Sequence, residues 1–187
     1  MGGSFDPVHF GHLVAAQDAV EQHGLDRVIF VPAAQAPLKD REVSHDGEHR
    51  LAMLRAATDW DHRFEVSDHE IRRGGVSYTI DSVRYFRSVY PDARLFWIIG
   101  GDHVPKLSRW HRIEELATMI EFIFLERPGH PAKTPPAIPG LRLNRCDGHL
   151  IEISSTELRE RVRRGLSLDY FVPHKAIVYI EQNGLYR

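Results

Sequence analysis

Three short, largely apolar runs constrain the fold of this chain more than any other feature. They are Val28-Ile29-Phe30-Val31, Leu95-Phe96-Trp97-Ile98-Ile99 and residues 120–125, in which Glu121 is the one polar residue. Their hydrophobicity is continuous rather than alternating. That suits strands buried on both faces, as in a parallel sheet covered by helices. The first run stops at Pro32 and the second at Gly100-Gly101, residues that break strands. Phe64-Glu65-Val66 and Leu150-Ile151-Glu152-Ile153 are weaker strand candidates.

Amphipathic stretches lie between these runs. Leu13, Ala16 and Val20, with Ala15 and Ala19, line one face of a helix that stops at Gly24. Residues 48–58 place Leu51, Met53 and Leu54 at helical spacing behind a candidate N-cap, Asp46. Residues 78–90 group Ile80, Val83 and Phe86 and stop at Pro91. Ser154 and Glu157 form a capping-box pair ahead of a helix over 158–164. Pro173 starts a last helix through Gln182, closed by Asn183-Gly184. This alternation predicts an α/β fold: a doubly wound, Rossmann-like parallel sheet with helices on both faces, in a single domain over 1–187. Such sheets take ligands at the carboxyl ends of their strands. The Pro-rich stretch 127–140 is expected to be one long surface loop.

The chemistry gathers at the start. Gly2-Gly3-Ser4-Phe5-Asp6-Pro7-Val8-His9-Phe10-Gly11-His12 is a glycine-rich turn running into the first helix. Glycines let backbone approach an anion closely, and amides at a helix N-terminus stabilise its charge. His9 and His12, three apart, share a helix face and can both donate to phosphate oxygens. A lone His-x-x-His is most often two surface histidines, and no third ligand at a useful spacing marks a metal site.

The whole string is more specific. It resembles the signature of the nucleotidyltransferase superfamily with the His-x-Gly-His motif. Ile153-Ser154-Ser155-Thr156-Glu157-Leu158-Arg159 is similar to a second signature of that superfamily, Ile-Ser-Ser-Thr-x-x-Arg. A hydroxyl-rich helix start with an arginine one turn in is also a phosphate clamp. Within the superfamily the chain looks most like the bacterial nicotinate-mononucleotide adenylyltransferases, nearly end to end.

That resemblance implies adenylyl transfer from ATP to nicotinate mononucleotide, giving deamido-NAD and pyrophosphate, a step of NAD biosynthesis. It implies His9, His12, Lys39 and Arg159 as catalytic groups. It implies an ATP site of Gly3, Ser4, Phe5, His9, Gly11, His12, Gly100, Asp102, Ser154, Ser155, Thr156 and Arg159. Ser77, Tyr78, Thr79 and Trp110 would receive the mononucleotide, and Mg2+ would arrive with ATP. Read by themselves, Tyr78 and Trp110 are equally core residues, and Thr79 and Asp102 equally helix caps. Where many relatives have Pro-Pro-His-Lys, this chain has Ala36-Pro37-Leu38-Lys39. Readings left open are another adenylyl- or cytidylyltransferase of the superfamily, such as pantetheine-phosphate adenylyltransferase, and a nucleotide-binding protein without catalysis.

Relatives carry a hydrophobic strand just before the Gly-Gly loop. Here only Met1 precedes it. The first central strand is therefore expected to be missing, and the natural start to lie upstream. The net charge of -2 gives no bulk attraction to nucleic acid or membrane. One cysteine, Cys146, leaves no internal disulfide, and no apolar run approaches a membrane span. With no basic-then-apolar leader, a cytoplasmic location is expected. The oligomeric state is left open, with room for a homo-oligomer.

Overall fold

Each of the three apolar runs forms a strand, and together with shorter ones they build two parallel sheets. A computed structural model describes residues 1–37, 46–126, 134–149 and 151–187. One sheet holds β1 (Gly2–Gly3), β2 (Val28–Pro32) and β3 (Phe64–Val66) in that order. The other holds β4 (Phe96–Gly100), β5 (Glu121–Glu126) and β6 (Leu143–Asp147). All pairings are parallel. β1 lies beside β4, so close that a Cβ on Gly2 would stand 2.8 Å from the Trp97 ring. The strands thus run 3-2-1-4-5-6, the doubly wound order in which the crevice opens between strands 1 and 4.

Helices cover both faces because successive strand residues point opposite ways. Ile98 and Ile123 join Leu13, Ala16, Met53, Leu54, Leu158 and Ala176 in one core cluster. Trp97, Ile99 and Phe122 join Ile80, Val83, Leu107 and Leu116 in the other. The first cluster is sealed by α1 (Phe10–His23), α2 (Gly47–Thr58), α6 (Ser155–Arg163) and α7 (His174–Gln182). The second is sealed by α4 (Thr79–Val89), a 3-10 helix (Gly101–Arg109) and α5 (Ile113–Met119). The short α3 (His69–Arg73) precedes α4. Asp46 caps α2 by accepting from the Glu48 amide at 2.6 Å. Ser154 caps α6 through the Glu157 amide at 3.2 Å. Gly24 closes α1 at φ 60°, in the left-handed region that favours glycine.

The central strand is the shortest of the six. β1 contributes two residues and then ends. Beyond it, the facing edges of β2 at Val28–Ile29 and β4 at Phe96–Trp97 have no strand between them among the described residues. A cleft of about 660 Å³ opens there, lined among others by Val28, Ile29, Phe96, Trp97 and Ile120. The Met1 amine sits on it and donates to the Ile29 carbonyl at 2.8 Å. Burial, opposed by the Glu70 charge, lowers the pKa of that amine from 8.0 to about 5.

Four expectations need correction. Residues 151–153 are irregular rather than a strand, and Leu150 lies outside the described residues. The edge strand is instead β6, where Cys146 is buried and Arg145 and Asp147 reach solvent. Thr79 does not cap α4. It is the first helical residue, with Tyr78 at the capping position and no side-chain bond there. Asp102 caps nothing; it is exposed within the 3-10 helix and pairs with Lys106 at 3.7 Å. Pro173 stands at the cap of α7 rather than in its first turn. Of the expected loop over 127–140, residues 127–133 lie outside the described residues, and 134–140 form no helix or strand.

Candidate active site

The glycine-rich turn leaves β1 and enters α1 at the carboxyl end of the sheet, on the rim of the crevice. Phe5 makes the turn at φ 49° and is buried against Phe30, with ring centroids 5.7 Å apart. A Cβ on Gly3 would meet the Phe5 ring at 2.8 Å, so a larger residue there would expel it. His9 caps the start of α1 and is buried. His12 stacks on it, with centroids 3.7 Å apart, and meets the edge of Phe5 at 4.9 Å. The His9 amide donates to Nδ1 of His12 at 3.3 Å. In the neutral ring that bond leaves the proton on Nε2, the tautomer that can donate outward.

Gly11 makes this stack possible. A Cβ there would stand 3.0 Å from Nδ1 of His9. Gly11→Ala is therefore expected to displace His9 and lower kcat about tenfold or more, with a melting temperature close to that of the parent. Steady-state turnover and calorimetry together check this.

The far part of the chain closes on the same turn. Ser155 Oγ donates to the Pro7 carbonyl at 2.9 Å. Arg159 Nη1 donates to the Asp6 carbonyl at 2.7 Å, and its Nη2 to Thr156 Oγ1 at 3.2 Å. The segment leading to α6 is held by buried Asp18 of α1, which accepts from the His149 amide at 3.0 Å and pairs with its ring at 2.7 Å. Ile151 follows, its side chain beside Gly11. Two amphipathic helices of different halves thereby present their N-termini side by side, an arrangement suited to a polyanion.

Next to this cluster lies a cavity of about 500 Å³, touching the turn at Gly3 and Ser4. Ser77, Tyr78, Thr79, Gly100 and Trp110 also line it. Ser77 is fixed by accepting from the Ala34 amide at 2.9 Å. Tyr78 packs on the ring of His111 with centroids 4.4 Å apart. Trp110 stands edge-on to Phe122 at 5.9 Å, and its indole nitrogen has no hydrogen-bond partner among the described residues. His9, His12 and the α6 residues do not line this cavity; they adjoin it through the turn. Asp102 stands just outside, beside Gly100. Lys39 lies outside the described residues.

Sequence reasoning missed Arg50, Asp6, Arg109, His111 and Tyr186. Arg50 was legible in principle. It falls on the same helical stripe as Met53, Leu54 and Ala57, where an arginine is out of place unless it has buried partners. The buried thiol of Cys146 is pushed up to about 11 by desolvation and by Asp18 and Asp147. It is unsuited to act as a nucleophile.

The cytidylyltransferase-like family model matches residues 1–161. The chain belongs to this family. A protein of Opitutus terrae named probable nicotinate-nucleotide adenylyltransferase is 68% identical over 100% of this chain and 96% of its own length. The nicotinate-nucleotide adenylyltransferase of Bacillus subtilis is 40% identical, covering 99% of this chain and 95% of that protein. Among solved structures, the nicotinic acid mononucleotide adenylyltransferase of Plasmodium falciparum complexed with NaAD superposes with a TM-score of 0.76. It covers 99% of this chain and 94% of that one at 21% identity, so it speaks for the fold alone. The doubly wound architecture of this family member matches that fold. Its relatives are nucleotidyltransferases.

Proposed function

We propose that the chain catalyses adenylyl transfer from ATP to nicotinate mononucleotide, acting as one nucleotidyltransferase domain in the cytoplasm. An oxygen of the mononucleotide's 5′-phosphate attacks the α-phosphorus of ATP. The bond from that phosphorus to the bridging oxygen breaks, and pyrophosphate leaves with the electron pair. Deamido-NAD is the other product. The observation that carries this reading is the docking of the α6 start, with Ser155 and Arg159, onto the turn that bears His9 and His12. The names of relatives up to 68% identical support it.

In this reading His12 Nε2–H and His9 donate to oxygens on which charge builds as the α-phosphorus is attacked. Gly3, Ser4, Phe5 and Gly11 shape the backbone cradle. Ser154 holds the helix start, while Ser155, Thr156 and Arg159, with Lys39, take the β- and γ-phosphates. Gly100 and Asp102 receive the adenosine. Ser77, Tyr78 and Thr79 receive the nicotinate ring, with Trp110 beside it. Among the described residues no group of three or more His, Cys, Asp or Glu is placed to hold a metal. Magnesium would arrive with ATP and would supply charge neutralisation on the phosphates that Ser155, Thr156 and Arg159 take up.

The test is pyrophosphate release with ATP and, separately, nicotinate mononucleotide, nicotinamide mononucleotide and pantetheine phosphate. Turnover should be fastest with nicotinate mononucleotide. Lack of release with nicotinate mononucleotide sinks the proposal. Trp110→Ala should raise KM for the mononucleotide about tenfold, since stacking on an aromatic ring is worth about 1–3 kcal/mol. KM for ATP should change little.

A further inference from the structure

The nucleotide turn is gripped from two sides, and the two grips differ in kind. On the side facing the crevice, Ser155 and Arg159 hold the carbonyls of Pro7 and Asp6. Both residues are the ones proposed to take up phosphate, so their bonds to the turn are exchangeable for bonds to substrate. The opposite side is buried. There Arg50 is 1% exposed, and its Nη1 donates to the Ser4 carbonyl at 2.9 Å and the Ala33 carbonyl at 2.8 Å. Tyr186, 3% exposed, donates its hydroxyl to Asp6 Oδ1 at 2.8 Å. Asp6 is itself buried.

These groups have no access to a ligand, yet they fix the atoms on either side of the turn's tightest point. Phe5, between Ser4 and Asp6, is one of four non-glycine residues at positive φ among the described residues. Tyr186, at φ 67°, is another. Such conformations cost energy and persist where surrounding contacts over-determine them. The Tyr186–Asp6 bond thus joins one residue held in the left-handed region to the immediate neighbour of another. Burial, with the Asp6 carboxylate, pushes the Tyr186 phenol far above its usual pKa, so it remains a donor. Burial lowers the pKa of the Arg50 guanidinium from its usual value, opposed by the Asp6 and Asp46 carboxylates.

We infer that Arg50 and Tyr186 are positioning residues: they hold the Ser4–Asp6 turn, and through it the His9–His12 stack, in place when Ser155 and Arg159 leave its carbonyls for phosphate. The inference rests on the adenylyl-transfer reading for its kinetic consequence, though not for its geometry. It assigns the buried side of the turn a role in kcat rather than in substrate affinity. Because both Arg50 bonds come from one nitrogen, a lysine with its three donors can reproduce them in part.

The experiment uses Tyr186→Phe, Arg50→Lys and Arg50→Gln. Tyr186→Phe keeps the ring and removes one hydrogen bond, so it is the variant least at risk of misfolding. Its kcat should fall about tenfold or more at little change in KM for ATP, measured well below its melting temperature. Arg50→Lys should retain several times the kcat of Arg50→Gln. Without substrate, the imidazole 1H–15N signals of His9 and His12, assigned through the corresponding variants, should move in Tyr186→Phe. That of His149, held by Asp18, should stay. A folded Tyr186→Phe with parental kcat, or with unmoved His9 and His12 signals, overturns the inference. If the parent protein itself transfers no adenylyl group, the functional reading fails and the imidazole signals alone decide the positioning claim.

Discussion

His12→Ala is expected to lower the kcat of adenylyl transfer about 10²–10³-fold, the loss seen when one preorganised donor to a developing oxyanion is removed. The geometry says why the loss should be large. Nδ1 of His12 accepts from the His9 amide, so in the neutral ring Nε2 carries the proton and is the donor that the proposed mechanism uses. His9, buried beneath the stack, donates from a different position and does not stand in for His12. The melting temperature should change little, because His12 is only partly buried and the helix it starts is held by Leu13, Ala16 and Val20 in the core. Pre-steady-state formation of the dinucleotide and thermal unfolding are the measurements. Near-parental turnover would remove His12 from the mechanism.

The second large effect concerns stability. A variant carrying about five added residues ahead of Met1, apolar and β-branched, is expected to melt higher by on the order of 10 °C. The added strand would enter the cleft between β2 and β4 and pair with both edges. It would also replace a buried amine with an uncharged peptide group. The sign of the pH effect follows from the depressed pKa. Folded Met1 loses its proton near pH 5, whereas the unfolded amine keeps it to about pH 8. The unfolded state thus binds more protons between those values, and stability should rise with pH across that window. Three units correspond to about 4 kcal/mol at most. Denaturant unfolding at pH 5 and pH 8 should show this slope in the chain described and lose it in the extended variant. Equal melting temperatures for the two chains would refute the pairing.

The same physical logic explains which parts were legible in the sequence. β2, β4 and the centre of β5 are buried on both faces, so their residues are nearly all apolar and read directly as strands. β6 is an edge strand. Of Leu143, Asn144, Arg145, Cys146 and Asp147 only Cys146 is fully buried, and no pattern survives. Leu150 to Ile153 looked like a strand because the segment is apolar, but Ile151 packs at the start of α1 instead of in a sheet. The 3-10 helix contains Pro105 and short-range bonds that no 3.6-residue period reports. At the site, the residues proposed to face ligand form contiguous strings and are readable as motifs. Arg50 and Tyr186 stand alone in the sequence, and their meaning is set by the distant carbonyl and carboxylate that they meet.

The bonds that assemble the site have a consequence for timing. Those from Ser155 to Pro7, Arg159 to Asp6 and Tyr186 to Asp6 span 148, 153 and 180 residues of chain. During synthesis the turn is made long before these partners. On refolding, such distant closures come after local helices and neighbouring strands have formed. The secondary structure of this protein should thus return before its histidines are in register. A young or recovering molecule would pass through an interval in which it is folded by spectroscopy and silent as a catalyst.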